Sequence, residues 1–192
     1  MTTTSEQAAS AKPGGVRRAR AAWPAARLGR HAEARDPSLL AYHPAQGVDD
    51  FVRQVAAATP LQLVDMERHG VAGRFLKDLS IRIDLPAVRV FGMLGVPKAT
   101  AEKKSAQGEL VSGSGGQAAL GMARLLAQAQ ALVADSTAPE AQGFDAARWL
   151  GRWLEQPQPA LGGRRPADLM DTPTGAAMVS RLLGAQASGA YQ

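Results

Sequence analysis

The sequence predicts an all-α protein in which a basic tail precedes two small helical domains. Alanine, the strongest helix former, accounts for 38 of the 192 residues, whereas aromatic residues, which favour strands, make up only 5%. Apolar residues also recur at helical spacing through most of the chain after residue 46. No apolar run is long enough to cross a bilayer and no apolar leader follows the N-terminal charges, which favours a cytoplasmic location.

Residues 1–46 are expected to form a disordered tail. Seven basic and three acidic side chains give this segment a net charge of +4, out of +5 for the whole chain. Prolines and glycines interrupt it, and its alanines follow no helical period. Such an arm either binds nucleic acid through phosphates or only keeps the chain in solution. We expect order to begin near Val48, so that removal of residues 1–44 leaves function intact.

Residues 47–136 are expected to form a helical domain. Two aspartates suit the first turn of a helix that begins near Val48. Thr59-Pro60 is typical of the cap and first residue of a second helix, which Gly70 ends. The β-branched stretch Ile81-Arg82-Ile83 is assigned to a further helix, because one isolated strand would have no sheet to join.

The segment from Leu85 to Lys104 resembles a helix-turn-helix. Gly95 would form the turn between two helices, with an apolar residue on each side of it. The second helix would then present polar side chains to DNA phosphates or base edges, namely Lys98, Thr100, Lys103 and Lys104. Phe91 and Lys104 depart from the usual small and buried residues of the motif. An ordinary helical hairpin with a solvated basic face fits these residues equally well.

A glycine-rich loop and a long helix follow. Residues 108–116 are expected to be a loop, which ends in the flexible linker Gly113-Ser114-Gly115-Gly116. From Gln117 to Val133 the apolar residues lie on one face of a helix. A second loop at residues 135–143 marks the predicted boundary between the domains.

The C-terminal domain is predicted at residues 137–192. A full apolar face runs from Ala146 to Leu154, and Pro157 stops that helix. Thr172-Pro173 supplies the cap and first residue of the last helix. The stripe of this helix consists of the apolar Val179, Leu182 and Leu183 together with Gln186.

The sequence offers little that could catalyse a reaction. The chain has no cysteine, which excludes a thiolate nucleophile and any cysteine-based metal site. Its three histidines show no pairing with one another at helical spacing, and no nucleophile elbow or phosphate-binding loop is present. We therefore expect a protein without catalytic residues, cofactor or metal, and not an enzyme.

The C-terminal residues carry a specific pattern. Trp149-Leu150 and Trp153-Leu154 lie on one helix, the run PALGGRRPADLMDTPTG follows at residues 159–175, and the chain closes on Gly189-Ala190-Tyr191. In the run, a helix stop, a Gly-Gly turn, a proline-opened helix and a threonine cap stand at fixed spacing. This pattern resembles the toxin-binding domain of Xre/MbcA/ParS antitoxins.

The resemblance implies a function and a partner. Antitoxins of this family pair with a RES-domain toxin that consumes NAD⁺ or uses it to ADP-ribosylate a target, cover its active-site cleft, and reach into that cleft with their C-terminus. The cognate pair usually represses its own operon, which implies operator DNA as a second partner and a homodimer within a hetero-oligomeric complex. The residues expected to contact the toxin are Val179, Leu182, Leu183, Gln186, Gly189, Ala190 and Tyr191.

A second hypothesis belongs to another class of protein. The chain would be a dimeric DNA-binding transcriptional regulator with no toxin partner, and the helix-turn-helix would carry its function. A RES-domain reading frame beside the gene would distinguish the two hypotheses.

Overall fold

The computed structural model describes residues 1–2 and 40–187, and the part from residue 40 onward is a helical unit that confirms the all-α prediction. The helices are α1 Gly47–Ala57, α2 Pro60–His69, α3 Gly73–Arg82, α4 Ala87–Met93, α5 Lys98–Gln107, α6 Gly113–Ala134, α7 Ala146–Leu154 and α8 Pro173–Ala187. Two short strands are present, β1 Val71–Ala72 and β2 Leu110–Val111. Short 3₁₀ helices occupy Pro44–Gln46, Pro139–Ala141, Pro159–Leu161 and Pro166–Leu169.

Local signals placed most helices correctly. Thr59 caps α2 through a capping box, because its hydroxyl accepts a hydrogen bond from the Gln62 amide while the Gln62 side chain accepts one from the Thr59 amide. The last turn of α2 ends at Gly70, whose φ of +97° lies in the region that favours glycine. The predicted helical assignment of Ile81 and Arg82 is also confirmed.

Order begins earlier than Val48, because Tyr42 belongs to the hydrophobic core. Its ring is only 5% exposed and packs edge-to-face against Phe51 and Phe75, with ring centroids 5.5 and 5.3 Å away. Its hydroxyl donates a hydrogen bond of 2.7 Å to Asp78. The expectation that residues 1–46 all lie outside the folded part is therefore wrong for Tyr42, and residues 3–39 lie outside the described structure.

The linker prediction at Gly113–Gly116 is also wrong, because these residues form the first turn of α6. The preceding segment forms β2, which pairs antiparallel with β1, with Val71 opposite Val111. A Cβ on Gly70 would lie 2.3 Å from the Val111 carbonyl oxygen, and a Cβ on Gly116 would lie 2.4 Å from it. Glycine at these two positions therefore lets two backbone segments approach β2 closely. The glycine-rich stretch thus serves close packing rather than flexibility.

Helix α6 is the central element of the fold. It packs against α1 and α2 as well as against α7 and α8. One hydrophobic core includes Phe51 and Phe75 together with Leu150, Leu183 and the buried face of α6. The core therefore crosses the predicted boundary at residues 136–137, and independent folding of residues 47–136 and 137–192 stays a prediction.

Two arginines connect the C-terminal segment to earlier helices. Arg82 on α3 binds Asp49 at 2.8 Å and Asp145, the residue before α7, at 2.7 Å. Arg89 on α4 binds Glu155 at 2.7 Å and Asp168 at 3.1 Å. Both side chains are about one-third exposed, so solvent screens these pairs only in part.

Asp145 provides a stability prediction. Its carboxylate caps α7 by accepting hydrogen bonds from the amides of Ala147 and Arg148, so Asp145→Ala is expected to lower the free energy of unfolding by about 1–2 kcal/mol. Asp145→Asn is the matched control, because asparagine keeps the cap but loses the charge that faces Arg82. Urea unfolding of the three proteins measures the difference, and equal stability of Asp145→Ala and the parent would contradict a role for the cap.

The same carboxylate predicts an acid dependence. Burial opposes its ionisation, but hydrogen bonds from Arg82 and from the two amides outweigh this effect and hold the pKa of Asp145 below its ordinary value. Because the pKa is lower in the folded chain, the stabilisation is present above the unfolded pKa and is lost as the pH falls through the folded one. The stability difference between parent and Asp145→Asn should therefore shrink in strongly acidic solution.

Candidate functional site

The C-terminal segment folds around the pattern that the sequence singled out. Trp149 and Trp153 stack with ring centroids 6.0 Å apart, and Trp153 is buried in the core beside Leu150. Thr172 caps α8 through a hydrogen bond that its hydroxyl accepts from the Gly175 amide. A Cβ on Gly175 would lie 1.9 Å from the Leu169 carbonyl oxygen, so only glycine permits this junction. The fixed spacing of the run at 159–175 is thus the spacing of a tight turn and cap.

The predicted toxin-contacting residues of α8 do not lie together on the surface. Val179, Leu182 and Leu183 are 0%, 6% and 1% exposed and belong to the core. In this conformation they fix α8 to the rest of the fold rather than face a partner. Gln186 is exposed, and its amide donates a hydrogen bond of 3.1 Å to the Gln158 side chain. Gly189, Ala190 and Tyr191 lie outside the described residues.

The exposed face of α8 carries different residues. Met178 is 40% exposed, and Ala177 and Arg181 are exposed beside it. These positions carry no signal in the sequence, because an apolar stripe on a helix indicates burial and does not distinguish the chain's own core from a partner. The surface of α8 that is free for a partner is therefore the side opposite the predicted stripe.

Two grooves flank α8. An apolar groove of about 380 Å³ lies beside its last turns and is lined chiefly by Leu132, Val133, Phe144 and Trp149. A larger groove of about 600 Å³ runs between α6 and α8 and includes Glu67 of α2. Its charged lining residues are Glu67, Arg124 and Arg181. We call the larger one the arginine groove.

The predicted helix-turn-helix has the expected backbone. Gly95 adopts a φ of +65° between α4 and α5, and the flanking Leu94 and Val96 are buried. Phe91 is accommodated because it is 1% exposed and part of the core. This geometry is compatible with both the DNA-binding motif and the plain helical hairpin.

The four predicted DNA-contacting residues differ in availability. Thr100 and Lys103 are exposed, and Lys103 forms no ion pair within the described structure. Lys98 lies 3.8 Å from Glu102. The Lys104 ammonium donates a hydrogen bond of 2.8 Å to the Leu110 carbonyl and lies 3.4 Å from Glu109. Lys104 therefore also supports β2.

Among residues 1–2 and 40–187, no group of three or more histidine, aspartate or glutamate side chains is placed to hold a metal ion. No helix in this part of the chain is long and apolar enough to span a membrane. His43 and His69 are exposed, and His31 lies outside the described residues.

Comparison with known proteins gives two matches. Residues 128–189 match the family described as antitoxin Xre/MbcA/ParS C-terminal toxin-binding domain. The chain is also 39% identical over 134 residues to a Sphingobium sp. (strain YBL2) protein named Prs ADP-ribosylating antitoxin, an alignment that covers 70% of this chain and 83% of the relative. No solved structure gives a significant match. The family match begins within α6 and includes α7 and α8.

Proposed function

Because the chain belongs to the Xre/MbcA/ParS family of toxin-binding antitoxins, we propose that it neutralises a RES-domain toxin by covering the cleft in which that toxin consumes NAD⁺. The observation that carries the proposal is the anchoring of α8. Three apolar side chains fix this helix in the core, and residues 188–192 follow it in the sequence. A helix that is already ordered loses little conformational entropy when it docks on a partner.

The relative's name supports one of the two reactions for the toxin. The Sphingobium protein is named Prs ADP-ribosylating antitoxin, and ADP-ribosylation uses NAD⁺ as the donor and releases nicotinamide. We propose that the toxin of this chain likewise transfers ADP-ribose from NAD⁺ to an acceptor. The antitoxin acts by steric exclusion and takes no part in the bond changes.

Neutralisation is proposed to have two physical components. The folded surface around α8 supplies area and orientation, whereas residues 189–192 fill the cleft. Gly189 and Ala190 have small side chains that let backbone enter a narrow space, and Tyr191 combines a large apolar ring with a polar hydroxyl. Val179, Leu182 and Leu183 contribute indirectly by holding the helix from which this segment starts.

The decisive experiment tests whether a reading frame beside the gene encodes a RES-domain toxin and expresses that toxin with and without this chain. Toxin expression alone should arrest growth and deplete NAD⁺ or label a target with ADP-ribose, and co-expression of this chain should reverse both effects. A chain carrying Leu182→Asp, which disrupts the core under α8, is the matched negative control. Growth arrest that persists with the folded parent chain would overturn the proposal.

Operator binding is a second proposed function, supported by the left-handed Gly95 turn and by the exposed Thr100 and Lys103 on the following helix. In this proposal a homodimer presents two copies of α5 to adjacent major grooves and represses transcription of the toxin–antitoxin pair. The hypothesis of a regulator without a toxin partner finds no support in the comparisons, because the matched family is defined by toxin binding.

The lysines of α5 provide a test of operator binding. The triple substitution Lys98→Ala, Lys103→Ala and Lys104→Ala is expected to weaken binding and to reduce the slope of log K against log salt by about 2–3, one unit per lost phosphate contact. Lys104 also donates a hydrogen bond to the Leu110 carbonyl, so its loss could weaken DNA binding by disturbing β2. The double variant Lys98→Ala/Lys103→Ala keeps this hydrogen bond and therefore reports on phosphate contacts alone. An unchanged slope in the triple variant would indicate the plain helical hairpin.

A further inference from the structure

The arginine groove between α6 and α8 has the properties of a site for a carboxylate-bearing segment. We propose that it is a second toxin contact, in which Arg124 and Arg181 bind an aspartate or glutamate side chain of the toxin. The inference rests on the proposed function and adds a contact separate from the C-terminal segment. It is drawn from the charge, depth and position of the groove.

The two arginines are available for a partner. Arg124 on α6 and Arg181 on α8 both line the groove, both are exposed, and neither forms an ion pair with any described residue. By contrast, Arg82 and Arg89 bind two carboxylates each, and Arg74 binds Asp78. A guanidinium group presents a planar set of N–H donors that matches a carboxylate, and the described residues provide no carboxylate to either arginine of this groove.

The floor of the groove allows a partner chain to come close. It is made of small residues, including Ala118, Gly121, Ala176 and Ala177. A Cβ on Gly121 would lie 3.5 Å from the Ala176 Cβ, which shows how closely α6 and α8 approach there. At one end the floor is fixed by a side-chain pair, because Ser180 donates a hydrogen bond of 2.7 Å to Gln128. A volume of about 600 Å³ accommodates a short extended segment rather than a duplex.

Position and charge favour the toxin over DNA as the occupant. Arg181 lies within the matched toxin-binding domain, and Arg124 lies four residues before that match begins. Glu67 is the remaining charged lining residue, so the charged side chains of the groove sum to only +1, which suits a single carboxylate better than the continuous phosphates of nucleic acid. Helix α5, which carries the predicted DNA contacts, contributes no lining residue.

The test compares groove arginines with matched arginines elsewhere. The double variant Arg124→Ala/Arg181→Ala is compared with the control variant Arg152→Ala/Arg164→Ala. Arg152 and Arg164 are also exposed and form no ion pair within the described residues, but they line neither groove. The readouts are the Kd for the purified RES-domain toxin at low and at higher ionic strength, and the melting midpoint. Both pairs of substitutions are on the surface, so we expect unchanged folding.

The expected result is a loss specific to the groove. Each single groove substitution should weaken toxin binding about fivefold and the pair about twentyfold, with a flatter salt dependence, whereas the control pair should bind as the parent does. Arg181→Glu should bind more weakly still and should regain affinity against a toxin in which the contacting carboxylate is replaced by arginine.

The other outcomes are equally informative. If the parent chain binds the toxin and the groove pair binds it as tightly, the inference is overturned while the proposed function stands. If the groove pair keeps its toxin affinity but loses affinity for operator DNA, the groove belongs to a nucleic-acid surface and the inference is likewise overturned. A parent chain that fails to bind the toxin refutes the proposed function, and this contact with it.

Discussion

A chain truncated after Ser188 is expected to fold normally and to bind its toxin, yet to inhibit NAD⁺ consumption poorly. Removal of residues 189–192 deletes none of the described core, so the melting midpoint should not change. The loss of one buried aromatic side chain from an interface costs about 2 kcal/mol or more, so we expect the concentration needed for inhibition to rise at least about thirtyfold. Titration of toxin activity with the parent and truncated chains measures the difference.

The matched variants locate the effect within the segment. Tyr191→Ala should reproduce most of the loss, whereas Tyr191→Phe keeps the ring and should retain most of the inhibition. The arginine-groove variants should still reach full inhibition at saturating antitoxin, because they keep the segment proposed to fill the cleft. Full inhibition by the truncated chain would place the block on the folded surface around α8 alone.

Helix boundaries were predictable wherever the signal is local. Thr59 and Thr172 cap helices that the sequence analysis placed, because a cap depends on side chains and amides within one turn. The Gly95 turn was predictable for the same reason, because a left-handed φ of +65° in a tight turn favours glycine locally. Such features depend only on neighbours along the chain.

Packing between distant segments was not predictable from one sequence. Gly70 and Gly116 are 46 positions apart, yet each lets the backbone approach the same Val111 carbonyl. Without knowledge of that contact, a glycine in Gly113–Gly116 is interpreted as a flexible linker. Gly151 is similar, because a Cβ there would lie 2.0 Å from the Ile83 carbonyl oxygen on another segment.

The candidate site was predictable only in outline. The stripe of Val179, Leu182 and Leu183 marked α8 correctly, but a core contact and a partner contact leave the same apolar pattern. The sequence gives a weak indication that Arg124 and Arg181 are unpaired, because neither has an acidic residue three or four positions away on its helix. Their convergence on one groove depends on the packing of α6 against α8, which no spacing within either helix specifies.

Contrary to the expectation from the sequence alone, removal of residues 1–44 is expected to destabilise the chain, whereas removal of residues 1–39 is expected to leave its stability unchanged. The longer deletion takes away Tyr42, and loss of a buried aromatic side chain costs about 3 kcal/mol or more. It also removes Leu40, which packs against the core. Urea unfolding of the two truncated chains and of Tyr42→Ala measures the loss, and Tyr42→Phe isolates the hydrogen bond to Asp78, worth about 1 kcal/mol.

The pH dependence of the same residue separates its packing from its hydroxyl. Burial, reinforced by the hydrogen bond to Asp78, raises the pKa of Tyr42 far above its ordinary value. Because the pKa is higher in the folded chain, the stabilisation by the Tyr42 hydroxyl is complete below the unfolded pKa of about 10 and is lost as the pH rises beyond it. Tyr42→Phe should therefore flatten this alkaline decline in stability.

Equal stability of the 1–44 deletion and the parent would contradict the packing of Tyr42, and a loss on removal of residues 1–39 would show that the basic segment contributes to the fold. Neutralisation of the toxin should follow stability, so that the chain beginning at Leu40 is the shortest one that still protects the cell.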